Sequence, residues 1–192
     1  MGFSRLVKRS RSKRKRHKPD RSKTRIRRRN TYPWQFTKKE FLELWSCGEE
    51  DLKKIEKTVL EIFPLPLKPG APNNVEICKR EDLLPRGGYS LSKSKTALRW
   101  NNEEGLAYAI LIFRGEALMY GAIHPKYRQS DISEKVLTKA WEMGARRIVQ
   151  TTTVPGLLVV HKIFTELAYK DGLDIPDCVV SEYPELQGIK NT

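Results

Sequence analysis

Cysteine is scarce in this sequence. Cys47, Cys78 and Cys178 are the only three in 192 residues, and no two of them form a Cys-x-x-Cys pair. An odd, widely spaced set supports neither a disulfide framework nor a zinc site, and it points to a reducing, intracellular compartment rather than secretion. Long apolar runs are missing as well. The longest, Leu106–Phe113, covers eight residues, whereas a bilayer-spanning helix needs about 20. No pair among the His, Cys, Asp and Glu residues has metal-ligand spacing, so no metal centre is expected. The turn Arg86-Gly87-Gly88 has the glycines of a phosphate cradle but is followed by strand-like residues, not by the helix such a cradle needs.

Acidic residues are all but absent from the first thirty positions. Fifteen bases stand there (Arg5, Lys8, Arg9, Arg11, Lys13, Arg14, Lys15, Arg16, Lys18, Arg21, Lys23, Arg25, Arg27, Arg28 and Arg29) against Asp20 alone, a net of +14. The whole chain has 37 bases and 23 acids, so residues 31–192 hold 22 of each. The sequence thus divides into a polycationic arm, 1–30, and an electrically neutral globular body, 31–192. Phe3, Leu6, Val7 and Ile26 are the arm's sizeable apolar side chains, too few to offset the entropy of ordering it. The arm is expected to be disordered alone and to bind nucleic-acid phosphates. Its Lys and Arg displace condensed counterions whatever the base sequence.

Other readings of the arm are weaker. A nuclear-localisation stretch around Lys13–Lys18 looks like any dense basic run. A mitochondrial presequence would present an apolar face, and a membrane-bound arm would carry an anchor. Leu6 stands where a myristoylation signal requires Ser or Thr.

The body opens with helix signals. Thr37 and Glu40 have capping-box spacing, with Phe36 and Phe41 placed as a hydrophobic staple. Phe41, Leu44 and Trp45 then repeat at helical spacing until Gly48. Trp34 and Phe36 read as core rather than as base-stacking residues. A second helix runs from Glu49 to Phe63, and the prolines between Pro64 and Pro72 enforce a loop. Strands are expected at Val75–Lys79, Tyr89–Leu91 and Thr96–Trp100. Leu106–Phe113 and Ala117–His124 form a hairpin around Arg114-Gly115-Glu116. A helix (Ser133–Met143) closed by Gly144, a strand (Arg146–Thr151), a helix (Leu157–Lys170) and a last strand (Cys178–Glu182) follow.

Two helices, antiparallel strands, then strand–helix–strand–helix is an order that resembles the GNAT N-acetyltransferase superfamily. Ala117–Arg128, leaving through Ile123-His124-Pro125-Lys126-Tyr127-Arg128, resembles that family's fourth strand and its V-x-P-x-Y-R exit. Ser133–Gly144 resembles the following helix, Arg146–Thr151 the fifth strand, and His161–Tyr169 the ending A-x-x-x-Y-E-K-L-G-F of the next helix. The resemblance covers about a third of the chain. It implies an α+β fold with a mixed, mostly antiparallel sheet flanked by helices. It also implies acetyl-CoA held on a loop R/Q-x-x-G-x-G/A, whose bare glycines let amides approach pyrophosphate.

This sequence departs from that pattern where the cofactor would bind. Arg128-Gln129-Ser130-Asp131-Ile132-Ser133 puts Asp131 and Ser133 in place of the two glycines, and Asp131 with Glu134 has capping-box spacing. An Asp131 carboxylate on those amides would exclude phosphate. The family's cofactor-contacting Asn falls on Leu157, and the Tyr that protonates the leaving thiolate falls on Phe164, which has no hydroxyl. The expectation is a fold without its cofactor. His161, on an apolar helical face, reads as a hydrogen-bonded core residue. His124, at a strand end, is more open to a base role. Glu103 and Glu104 read as solvated turn charges, and Tyr108 and Tyr120 as core or edge residues.

These features point to a non-enzymatic nucleic-acid-binding protein, with DNA as the expected partner and little sequence preference. Its arm contacts phosphates, and its body docks onto a protein partner in a larger assembly. In this it is similar to the acetyltransferase-like virion proteins that phage particles carry. The alternative is an acetyl-CoA-dependent acyltransferase recruited to nucleic acid or the ribosome by its arm, with Arg128 on the pyrophosphate and His124 or a water as base.

Overall fold

The apolar run found in the sequence is the middle of a sheet. The computed structural model describes residues 31–63, 65–83, 91–128, 130–149 and 153–187. The arm, the Arg86-Gly87-Gly88 turn, the Tyr89–Leu91 strand up to its last residue, and the last two residues of the expected 146–151 strand lie outside them. Strands β1 (Val75–Cys78), β2 (Thr96–Asn101), β3 (Ala107–Arg114), β4 (Ala117–Ile123) and β5 (Arg147–Ile148) lie side by side in chain order. The first four are antiparallel, and β5 joins β4 in parallel. Gly115 takes a φ of +53°, which glycine adopts without strain, and so closes β3 and β4 into the expected hairpin.

Helices cover both faces of the sheet. Among the described residues there are six: α1 (Lys38–Trp45), α2 (Glu49–Ile62), α3 (Ile132–Glu142), α4 (Val154–Lys170), α5 (Asp177–Val180) and α6 (Pro184–Gln187). Leu98, Trp100, Ala109, Leu111 and Phe113 face α1, α3 and α4, burying Trp45, Val136 and Phe164. Ala97, Ile110, Ile112 and Ala122 face the other way, onto Val59 of α2 and onto Leu65 and Leu67 of the proline-rich loop. A strand covered on both sides needs no polar alternation, which is why Leu106–Phe113 reads as an unbroken apolar run. The helix α3 supplies the crossover that a parallel β4–β5 pair requires. This is the α+β architecture expected from the sequence, with a mixed, mostly antiparallel sheet flanked by helices.

Local expectations hold at α1. The Glu40 amide donates to Thr37 Oγ1 at 3.3 Å and the Thr37 amide donates to Glu40 Oε2 at 3.0 Å, so the capping box is complete. Helix α4 begins three residues before the expected Leu157. Thr153 accepts from the Gly156 amide at 3.3 Å, and Pro155 sits in the first turn, where its missing N–H costs nothing.

The tail is a correction. Cys178–Glu182 is not a strand; it lies in α5 and the turn leading to α6. Pro176 at the N-cap, Asp177 in the first turn and Pro184 at the start of α6 favour short helices, and Val179, Tyr183 and Leu186 are the side chains they bury.

Candidate functional site

The fifteen basic residues of the arm lie outside the described residues; the root from which the arm departs is described. Thr31 is buried, and Trp34 meets Trp141 of α3 edge-to-face with ring centroids 5.2 Å apart. The Tyr32 ring lies 5.0 Å from Trp34, its hydroxyl donates to Glu116 at 3.5 Å, and the Arg147 guanidinium lies 5.9 Å from its ring. Trp34, 5% exposed, is a core residue as expected and holds the arm's root at the corner of the β3–β4 turn, β5 and the end of α3.

The expected cofactor loop differs from its sequence reading at one position. Asp131 does precede α3, but its backbone is already helical (φ −67°, ψ −1°) and its side chain makes no cap bond. An N-cap carboxylate reaches the end amides from an extended backbone. Here it turns outward instead and pairs with Lys135 at 2.6 Å. The capping expectation for Asp131 and Glu134 is therefore not met. Ser130 donates to the Tyr127 carbonyl at 2.6 Å and Arg128 Nε to the Ile123 carbonyl at 3.4 Å, folding the loop back on the end of β4. Leu157 and Phe164 are fully buried, Phe164 edge-on to Trp141.

His124 starts a short turn, Pro125–Tyr127, and its Nδ1 accepts from the Lys126 amide at 3.2 Å. Its ring stands edge-on to Tyr108 at 5.1 Å and to Phe63 at 5.6 Å. Tyr120 is half-buried on β4, and Glu103 and Glu104 are exposed in the β2–β3 turn. Among the described residues, no three His, Cys, Asp or Glu side chains are grouped to hold a metal ion. No helix there is long and apolar enough to cross a membrane. A groove of about 610 Å³ runs between Asn73–Val75 and the outer face of α3, where its charges pair as Asp131–Lys135 and Lys139–Glu142.

His161 is the core residue the sequence implies. It is fully buried, with Nε2 2.7 Å from the Phe36 carbonyl and Nδ1 2.6 Å from the Tyr183 hydroxyl. A carbonyl only accepts, so the neutral ring carries its proton on Nε2 and Tyr183 donates to Nδ1. Burial lowers the His161 pKa and raises that of Tyr183. Glu182, next to Tyr183, accepts from the Lys38 amide at 2.7 Å, so the C-terminal helices are tied to α1 and α4 together.

The reading of the sequence missed one buried polar cluster. Arg99 on β2, 5% exposed, donates to Glu76 on β1 through Nε at 3.1 Å and Nη2 at 2.9 Å, and to the Lys68 carbonyl at 2.6 Å. Asn101 donates to the same carboxylate at 3.0 Å and the Ala71 amide donates to Oε1 at 2.8 Å. Burial pushes the Glu76 carboxyl up, but these donors outweigh it and leave it below the ordinary value. A Cβ at Gly70 would meet Glu76 Oε2, Asn101 Nδ2 and Arg99 Nη2, so a side chain there would have to displace the cluster. The cluster clamps the proline-rich loop to the sheet. Its one sequence signal is a charged residue at an inward position of a strand.

Comparison with protein-family models, with curated proteins and with solved structures finds no match to this chain.

Proposed function

We propose that this chain is a non-enzymatic nucleic-acid-binding protein, with DNA as its expected partner, whose arm contacts phosphates while its body docks onto a larger assembly such as a phage particle. The observation that carries the reading is the segregation of charge: +14 within residues 1–30 against 22 bases and 22 acids in the rest. A solubilising surface spreads its charge. A phosphate-binding arm concentrates it. The buried Leu157 and Phe164 support a body whose GNAT-like positions serve packing rather than cofactor contact. Filter binding or anisotropy on duplex DNA and RNA tests the arm. A chain lacking residues 1–30 is expected to lose non-specific binding to both. A truncated body that binds as tightly as the full chain overturns the reading.

One observation favours the acyltransferase alternative: the Asp131 carboxylate does not occupy the first amides of α3. Calorimetric titration of acetyl-CoA into residues 31–192 separates the two, the arm being left out because it would attract the cofactor's phosphates. The scaffold reading predicts no heat at millimolar cofactor; micromolar binding establishes the alternative.

A further inference from the structure

The sheet end beside the 128–133 loop carries rings that the closed core does not enclose. Trp100 on β2 is buried, but Tyr108 on β3, His124 and Tyr127 after β4, and Phe63 after α2 are only half-buried. They form one connected set. Tyr127 lies 5.1 Å from Trp100 and 5.0 Å from Tyr108 by ring centroids, and Phe63 is parallel to Tyr108 at 6.5 Å. The exposed Lys126 and Arg128 flank Tyr127 directly in sequence; the Lys126 ammonium lies 5.5 Å over the Tyr127 ring, where an incoming base or phosphate would have to draw it aside, and Arg128 Nε donates to the Ile123 carbonyl at 3.4 Å. The nearest acid along the chain, Asp131, is taken by Lys135 at 2.6 Å, so the two flanking charges stand uncompensated by it.

We propose that this cluster is a base-stacking platform for single-stranded nucleic acid, with Tyr127 as its principal ring and Lys126 and Arg128 on the phosphates to either side. The proposal rests on the nucleic-acid reading of the arm and assigns the body a share of the binding. Unpaired bases offer a π-face to any aromatic ring, whatever the base, while the bases of a duplex are already stacked on one another. A basic–aromatic–basic turn matches the alternation of phosphate and base along one strand. The turn is also internally bonded. His124 Nδ1 accepts from the Lys126 amide, Ser130 donates to the Tyr127 carbonyl, and Trp100 and Tyr108 hold the Tyr127 ring from within, so little ordering cost remains for binding. A purely apolar protein partner fits less well, because the rim is cationic and the rings carry hydroxyl and imidazole groups.

The test uses the full chain and two oligonucleotides of equal length, an oligothymidylate and its abasic counterpart, which share phosphates and differ in bases. The arm alone distinguishes them little; the platform is expected to make the thymidylate bind about tenfold tighter. Tyr127→Leu removes that preference, Tyr127→Phe keeps it, and the surface pair Lys126→Glu with Arg128→Glu reduces it without touching the core. Equal binding of both oligonucleotides by the unmodified chain overturns the platform and leaves the arm reading standing, as does an undiminished preference in Tyr127→Leu. No binding of either at low salt overturns the arm reading and this one together.

Discussion

His161 links three separate parts of the chain through one ring. Its Nε2–H donates to the carbonyl of Phe36, its Nδ1 accepts from Tyr183, and its own carbonyl accepts from Thr165 at 2.7 Å. The groups that face it are Tyr183 and Glu182 from the tail, Lys38 from α1, and Phe41, whose ring lies 5.0 Å away. Burial depresses its pKa, and the Phe36 carbonyl and Glu182 offset that only in part. The unfolded chain therefore binds this proton more readily than the folded one. Stability from the neutral ring is complete above the unfolded value of about 6.5 and is lost as pH falls from there through the lower folded value. Denaturant midpoints measured from neutral pH downward are expected to drop across this window. His161→Gln should flatten the drop and cost about 1–3 kcal/mol at neutral pH, since it leaves Phe36 or Tyr183 without a partner. Parallel pH profiles for the two proteins would place the titration elsewhere.

At the scale of elements, sequence spacing reached as far as its signals were local. The β3–β4 hairpin, the α1 capping box and the burial of Trp34 all depend on residues a few positions apart or on apolarity alone, and each is where the spacing predicts it. The cap expected at Asp131 fails because a cap depends on the backbone angle of the capping residue, which the capping-box spacing does not encode. The strand expected in the tail fails because Cys178-Val179-Val180 has strand-like composition, while Pro176, Asp177 and Pro184 around it set short helices. The Arg99 cluster was not legible at all. Val75–Cys78 and Thr96–Asn101 are joined by a long connection, and nothing local states that Glu76 stands opposite Arg99. That pairing has an energetic consequence. Arg99→Met leaves the Glu76 carboxylate without its main partner and is expected to cost about 3–5 kcal/mol in urea denaturation, whereas Arg99→Met combined with Glu76→Met should recover much of the loss. A double variant as unstable as the sum of the two single ones would show that the ion pair is not the unit holding the loop.

For the whole molecule, a body of balanced charge keeps its own electrostatics short-ranged, while the arm carries the long-range field. The two are joined at a fixed corner, because Trp34 packs on Trp141 and Tyr32 reaches Glu116. On the proposed nucleic-acid reading, attraction to a polyanion is set by how many arm residues reach phosphates, and it should follow counterion release. If about half of the fifteen basic residues engage a duplex at once, the logarithm of the binding constant falls with the logarithm of salt at a slope of roughly −6. Neutralising Arg27, Arg28 and Arg29 together should make that slope shallower by about 1.4 if they share the average engagement, and by at most about 2.7, and should weaken binding evenly across base sequences, because phosphate contacts carry no sequence information. The same substitutions should leave the unfolding midpoint of the body unchanged, since the two core clusters of the described residues are assembled from side chains between Trp34 and Ala168. A slope that does not move while affinity collapses would mean that these three arginines fold the arm into a particular shape instead of acting as separate charges. The arm would then be a structured recognition element, and base preference would become the quantity to measure.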